Sequence, residues 1–141
     1  MKVSDFLRSM ADVGEVNLQD EVLLAAPDDP LEPLATKLSR GRDLLAIYVL
    51  DDRRPVGVIV KDDLLTRVYG AGRDASKLTC SDVMSSNLRV VSAEADFDET
   101  IDRFLELGYL TQPVVGEDGF LLGVLTIFDV AKHLHEIYKL M

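Results

Sequence analysis

The chain has 141 residues, of which 48% are hydrophobic, and a formal net charge of −10 at pH 7. This composition is typical of a globular domain, and the negative charge disfavours nucleic acid and anionic membranes as partners. No apolar run approaches the ~20 residues that span a bilayer, the first residues lack a signal-peptide pattern, and Cys80 is the single cysteine. We therefore expect a cytoplasmic protein that has no internal disulfide and no membrane partner.

In chain order, the pattern of apolar residues predicts the succession strand, helix, strand, strand, helix twice. The first copy has a helix after residue 29, strands at 44–50 and 56–60, and a closing helix at 62–69. The second copy has a helix after residue 96, strands at 110–115 and 120–125, and a closing helix at 127–140. The chain is therefore predicted to be a tandem repeat of two α/β (α+β) units.

The two copies differ in their lead-in segments. Ser4-Asp5-Phe6 resembles Ser81-Asp82-Val83 at an offset of 77 residues, whereas the helices and strands repeat at an offset of 66. We expect a first repeat at 1–69 with an insertion near 10–21, a linker at 70–79 and a second repeat at 80–141. Because a unit of roughly 60 residues has a marginal core, we expect both repeats to pack as one domain.

The first helix of each repeat carries the sequence signals of helix ends. An aspartate, followed three residues later by a glutamate, predicts the N-cap, and a glycine predicts a left-handed turn at the C-terminus. The aspartates are Asp29 and Asp96, and the glycines are Gly41 and Gly108.

A candidate binding motif lies where the last strand of each repeat meets the closing helix. Segment 123–129 reads Gly-Val-Leu-Thr-Ile-Phe-Asp, and the weaker copy at 57–63 reads Gly-Val-Ile-Val-Lys-Asp-Asp. Gly123 would allow close approach of a ligand, Thr126 could donate to a phosphate at the helix N-terminus, and Asp129 could accept both hydroxyls of a ribose. The same Thr and Asp are also an ordinary helix cap that needs no ligand.

The first-repeat copy is expected to be the weaker site, formed by Gly57, Lys61 and Asp63. Val60 replaces the threonine and has no hydroxyl, so Asp62 is expected to cap that helix. Lys61 could pair with a phosphate, although a solvated lysine is the favoured interpretation.

Together, these features resemble a pair of cystathionine β-synthase (CBS) domains. The resemblance rests on the tandem order, the Pro113-Val114-Val115 strand before an acidic turn, the closing motif at 123–129, and the lead-in at 81–85. It implies two repeats about a pseudo-twofold axis with ligand clefts between them. It also implies pairing of two chains into a homodimer and binding of adenosine-containing ligands that regulate a partner protein.

For the ligand, the resemblance implies a base held in an apolar slot, lined here by Val90, Val91, Pro113 and Val114. Since Ile127 and Phe128 offer no charge to further phosphates, AMP is expected to be preferred over ATP. The alternative is a dimerisation or interaction module that has no ligand. We expect no enzyme activity, no required cofactor and no metal site, because His133 and Glu136 would need ligands from elsewhere.

Overall fold

The computed structural model describes residues 1–6 and 21–141. Their contacts divide the chain into two compact units. Of the described residues, the first-repeat unit contains 21–88, and the second-repeat unit contains 1–6 and 89–141. Each unit has one three-stranded sheet and helices, which confirms the predicted tandem α+β architecture. Apart from Glu21, the predicted insertion lies outside the described residues.

The first-repeat unit follows the predicted order. Its sheet has the order β1-β2-β3, with β1 parallel and β3 antiparallel to the central strand. A core of buried apolar side chains, including Leu31, Leu38 and Ile47, joins the helices to this sheet. The elements are β1 (Val22–Ala25), α1 (Leu31–Arg40), β2 (Ala46–Asp51), β3 (Arg54–Ile59) and α2 (Lys61–Asp63), which continues as a π-helix (Leu64–Tyr69).

The second-repeat unit has the same topology. Its sheet has the order β4-β5-β6, again with one parallel and one antiparallel pair. Phe97, Ile101 and Phe104 place the apolar face of the first helix in the core. The elements are β4 (Val91–Ser92), α3 (Phe97–Glu106), β5 (Thr111–Val115), β6 (Leu121–Thr126) and α4 (Ile127–Lys139).

The N-terminal lead-in belongs to the second-repeat unit. Val3 is 0% exposed and Phe6 is 2% exposed, and both lie in the core of that unit. The backbone N–H of Val3 donates to the carbonyl of Ala95 at 3.0 Å, and the N–H of Phe97 donates to the carbonyl of Met1 at 2.7 Å. Residues 1–6 are therefore an integral part of this unit.

The first-repeat unit contains the matching contacts. The N–H of Cys80 donates to the carbonyl of Asp29 at 3.0 Å, and the N–H of Leu31 donates to the carbonyl of Leu78 at 3.0 Å. Cys80 and Leu78 correspond to Val3 and Met1 at an offset of 77 residues. Their partners Asp29 and Leu31 correspond to Ala95 and Phe97 at an offset of 66 residues. Each lead-in therefore packs in the unit formed by the other repeat. The repeat boundaries at 1–69 and 80–141, which were derived from the sequence pattern, remain a prediction.

The predicted helix ends are confirmed in the second repeat and wrong in the first. Asp96 caps α3 by accepting the N–H of Glu99, and Gly108 has a φ of +70°. In the first repeat, the N-cap is Pro30, and Asp29 accepts the N–H of Ala26 instead. Gly41 is extended, with a φ of −80°. It is needed for space, since a Cβ there would lie 2.5 Å from Leu44 Cδ1.

Candidate functional site

The second-repeat motif forms a reciprocal cap at the start of α4. The backbone N–H of Thr126 donates to Asp129 Oδ2 at 3.1 Å, and the N–H of Asp129 donates to Thr126 Oγ1 at 3.2 Å. The predicted cap is therefore present. It is compatible with a ligand, because a carboxylate has about four lone-pair sites and can accept hydroxyl groups in addition to one N–H.

Both side chains of the cap are buried. Thr126 is 1% exposed and Asp129 is 2% exposed. Burial raises the pKa of the Asp129 carboxyl, because desolvation disfavours the charged form. The hydrogen bonds from Thr126 and the positive charge of Lys132 oppose this rise in pKa without cancelling it. The fold thus holds a carboxylate whose ionisation is costly, which is common at functional sites.

The raised pKa of Asp129 predicts a pH dependence of stability. In the folded state the carboxyl retains its proton to higher pH than in the unfolded state, so its stabilising effect is complete below about pH 4. This effect is lost as the pH rises through the folded-state pKa. The free energy of unfolding of the wild type should therefore fall, relative to that of Asp129→Asn, as the pH rises from about 4.

Urea denaturation across this pH range measures the difference. Asp62→Asn is the matched control for the removal of an aspartate charge, because Asp62 is exposed at the start of the equivalent helix. A wild type that gains stability over Asp129→Asn with rising pH would contradict the assignment.

The residues predicted to line the apolar slot fall into different environments. Val91, Val114 and Gly123 lie in register across the three strands of the second sheet. Val114 is fully buried in the core, and Pro113 is also buried. Val90 precedes β4 and is 46% exposed. The structure thus brings Val91, Val114 and Gly123 together in one row, while Val90 lies outside it.

The first-repeat motif has the same backbone geometry. The N–H of Val60 donates to Asp63 Oδ2 at 2.8 Å, as the N–H of Thr126 does to Asp129. The prediction that Asp62 caps this helix is wrong, because a carboxylate caps best from the third helical position, which Asp63 occupies. Lys61 Nζ donates to the carbonyl of Gly41 at 3.1 Å.

Arg67 and Met84 contact residues of the first-repeat motif. Arg67 Nε lies 3.6 Å from Asp63 Oδ1, and the same guanidinium donates to the carbonyls of Val83 and Met84. A Cβ at Gly57 would collide with the Met84 side chain, which therefore covers that glycine. Sequence reasoning missed both residues. The spacing of four between Asp63 and Arg67 on a helix was the available signal.

The remaining candidates have structural roles in the described residues. The His133 ring packs edge-on against Phe97 at a centroid distance of 4.9 Å, and against Phe6 at 5.4 Å. Cys80 is buried, and desolvation raises the pKa of its thiol to about 11. Residues 1–6 and 21–141 contain no group of three His, Cys, Asp or Glu side chains that could hold a metal. None of the helices described is long and apolar enough to cross a bilayer.

Solved structures share this fold. A protein of unknown function with CBS domains from Bacillus anthracis aligns with a TM-score of 0.71 and 20% identity, covering 96% of this chain and 94% of that one. A conserved protein from Geobacillus kaustophilus gives a TM-score of 0.74 at 20% identity, over 96% of this chain and 97% of that one. The cytosolic domain of the Mg2+ channel MgtE in complex with ATP gives 0.60 at 24% identity, over 80% and 44%.

Sequence relatives are longer than this chain. An uncharacterized protein of Methanopyrus kandleri is 26% identical over 89% of the chain, which spans 63% of that relative. Inosine-5'-monophosphate dehydrogenase of Thermoplasma acidophilum is 27% identical over 78% of the chain, which spans 21% of that enzyme. The CBS domain family matches twice, at residues 13–70 and 80–136. The two matches cover most of the chain and coincide with its repeated topology, so the chain belongs to the CBS domain family and carries two copies of the domain in tandem.

Proposed function

We propose that this protein is a regulatory module that binds an adenosine-containing ligand at the second-repeat motif and transmits its occupancy to a partner protein. CBS domains are in general regulatory modules that bind adenosine ligands. The observation that carries the proposal for this chain is the buried pair of Thr126 and Asp129 at the start of α4. Gly123, three residues earlier on β6, is where a ligand would approach the backbone.

The chemistry of this pair suits a nucleoside monophosphate. Asp129 would accept the two ribose hydroxyls, and the Thr126 hydroxyl would donate to a phosphate oxygen. The N-terminus of α4, a helix of 13 residues, adds partial positive charge at the phosphate. Val91, which is partly exposed and lies in the same row as Gly123, would support the base.

The burial of the pair supports a regulatory role. Because Thr126 and Asp129 are almost fully covered, a ligand that contacts them must select a conformation in which the covering groups have moved. Only a difference in affinity between two conformations allows a ligand to change how a partner is bound. A site that is covered in one conformation and open in another would bind the ligand with different affinities in the two. The partner protein would recognise the conformation in which Thr126 and Asp129 are uncovered.

The preference for AMP over ATP rests on the two residues between the pair. Ile127 and Phe128 are partly buried and uncharged, so they give a second or third phosphate no cationic partner. The cytosolic domain of MgtE, which shares the fold at 24% identity, was solved in complex with ATP, and this supports an adenine nucleotide as the class of ligand. Because Ile127 and Phe128 are uncharged, we propose AMP or another adenosine derivative of low charge as the ligand of this chain.

A thermal-shift series tests ligand binding. A ligand that binds only the native state at about 100 times its Kd stabilises that state by about 2.7 kcal/mol, which raises Tm by several degrees. We expect a larger rise in Tm with AMP than with ATP at equal concentration, and no rise with buffer alone. No shift with any adenosine derivative would favour the second candidate, an interaction module without a ligand.

Exposed apolar residues on the closing helices favour self-association in either case. They are Leu134, Ile137 and Tyr138 on α4, and Leu65 and Tyr69 on the π-helix after α2. We propose a homodimer that covers these residues. Light scattering at micromolar concentration should give a mass near twice 15.6 kDa, and a mass near 15.6 kDa would contradict the dimer.

A further inference from the structure

A groove with three cations lies at the C-terminal end of α1 in the first-repeat unit. Its volume is about 610 Å³. The groove has an apolar floor and a basic rim, and it is lined by Leu23, Thr36, Lys37, Arg40, Gly41 and Leu44. Lys61 adds a third cation, since its Nζ donates to the carbonyl of Gly41 at 3.1 Å. An apolar floor with converging polar groups is typical of a small-molecule site.

The rim cations are not neutralised by the described part of the protein. The side chains of Lys37 and Arg40 are exposed, and neither forms an ion pair or hydrogen bond with another described residue. The C-terminus of a helix carries about half a negative elementary charge, which one cation already balances. Among the described residues, three cations at this one end therefore exceed the charge that the helix terminus balances.

The second repeat provides an internal comparison. At the offset of 66, the positions of Lys37, Arg40 and Lys61 are occupied by Arg103, Glu106 and Ile127. The charges sum to +3 in the first repeat and to 0 in the second. Since α3 ends normally with this neutral set, the fold does not require three cations at this position, and their presence in the first repeat supports an anionic ligand.

We propose that this groove binds a small phosphate-bearing anion whose apolar part rests on Leu23 and Leu44. Arg40 and Lys37 pair with the phosphate, and Lys61, whose Nζ donates to the carbonyl of Gly41, adds a third positive charge. The site differs from the first-repeat motif, because the Asp63 carboxylate there is held by Val60 and Arg67. A carboxylate would repel the anion, and the groove lining contains none.

Calorimetric titration with inorganic phosphate and with phenyl phosphate tests the proposal. We expect phenyl phosphate to bind more tightly than phosphate, because only its ring contacts the apolar floor. Arg40→Glu, which introduces the residue found at position 106, and Lys37→Glu should each weaken phenyl phosphate binding at least about tenfold. Lys77→Glu is the matched control, since Lys77 is exposed in the same unit outside the groove, and it should change the affinity less than twofold or so.

The variants also separate this site from the proposed nucleotide site. Arg40→Glu should leave AMP binding intact, and Asp129→Ala should leave phenyl phosphate binding intact. The proposal is overturned if the wild type binds neither probe at millimolar concentration. It is also overturned if Lys77→Glu loses as much affinity as Lys37→Glu, or if Asp129→Ala abolishes phenyl phosphate binding.

Discussion

Replacing Phe6 by alanine is expected to lower the free energy of unfolding by about 3–5 kcal/mol, the usual cost of removing a buried aromatic ring. The ring is 2% exposed and stacks on Phe97 at a centroid distance of 4.5 Å, with the edge of His133 against it. Truncation would leave a cavity at the centre of the second-repeat core, although Phe6 lies at the start of the chain. Urea denaturation of both proteins measures the loss.

The control for Phe6→Ala is Leu107→Ala, which truncates an apolar side chain that is 57% exposed in the same unit and outside the proposed dimer surface. This variant should stay within about 0.5 kcal/mol of the wild type, as surface substitutions usually do. A loss below 1 kcal/mol for Phe6→Ala would show that the N-terminal lead-in is not part of the second-repeat core.

Replacing Asp129 by alanine is expected to weaken AMP binding at least about tenfold, because each charge-assisted hydrogen bond to the ribose contributes about 1.5–3 kcal/mol. The matched control is Asp63→Ala in the first repeat. Asp63 makes the same backbone contact as Asp129, but it is also paired with Arg67. Calorimetric titration with AMP should therefore show little change for Asp63→Ala.

The opposite result for Asp129→Ala and Asp63→Ala would contradict the assignment of the nucleotide site. Loss of AMP binding in Asp63→Ala with retention in Asp129→Ala would move the nucleotide site to the first repeat. Both variants lose a helix cap, so a comparison of their thermal stabilities separates lost binding from lost folding.

The elements were predictable because their sequence signals are local. Apolar periodicity reports which face of a helix or strand is buried, and it placed α3, β5 and α4 within one or two residues. The cap at Asp96 was predictable for the same reason, since its partner Glu99 is three residues away. The cap at Asp29 failed because the helix begins one residue later, at Leu31, and the carboxylate turns back to Ala26.

The contacts that the sequence did not predict are long-range. Met84 covers Gly57, and Arg67 holds the carbonyl of Val83, through contacts that no local spacing encodes. The packing of each lead-in in the unit of the other repeat also depends on long-range contacts. Phe6, for example, packs on Phe97, which is 91 positions away along the chain. The resemblance between the lead-ins at 4–6 and 81–83 indicated an equivalent role, but not the partner of each.

The most direct test of the central claim is a crystal structure of the protein with AMP. We predict that Asp129 carboxylate oxygens lie within hydrogen-bonding distance of both ribose hydroxyls and that Thr126 Oγ1 donates to a phosphate oxygen. The protein part of the complex, considered apart from AMP, should also expose these two side chains more than the 1–2% observed in this structure. AMP bound at Asp63, or in any position without contact to Asp129, would contradict the account.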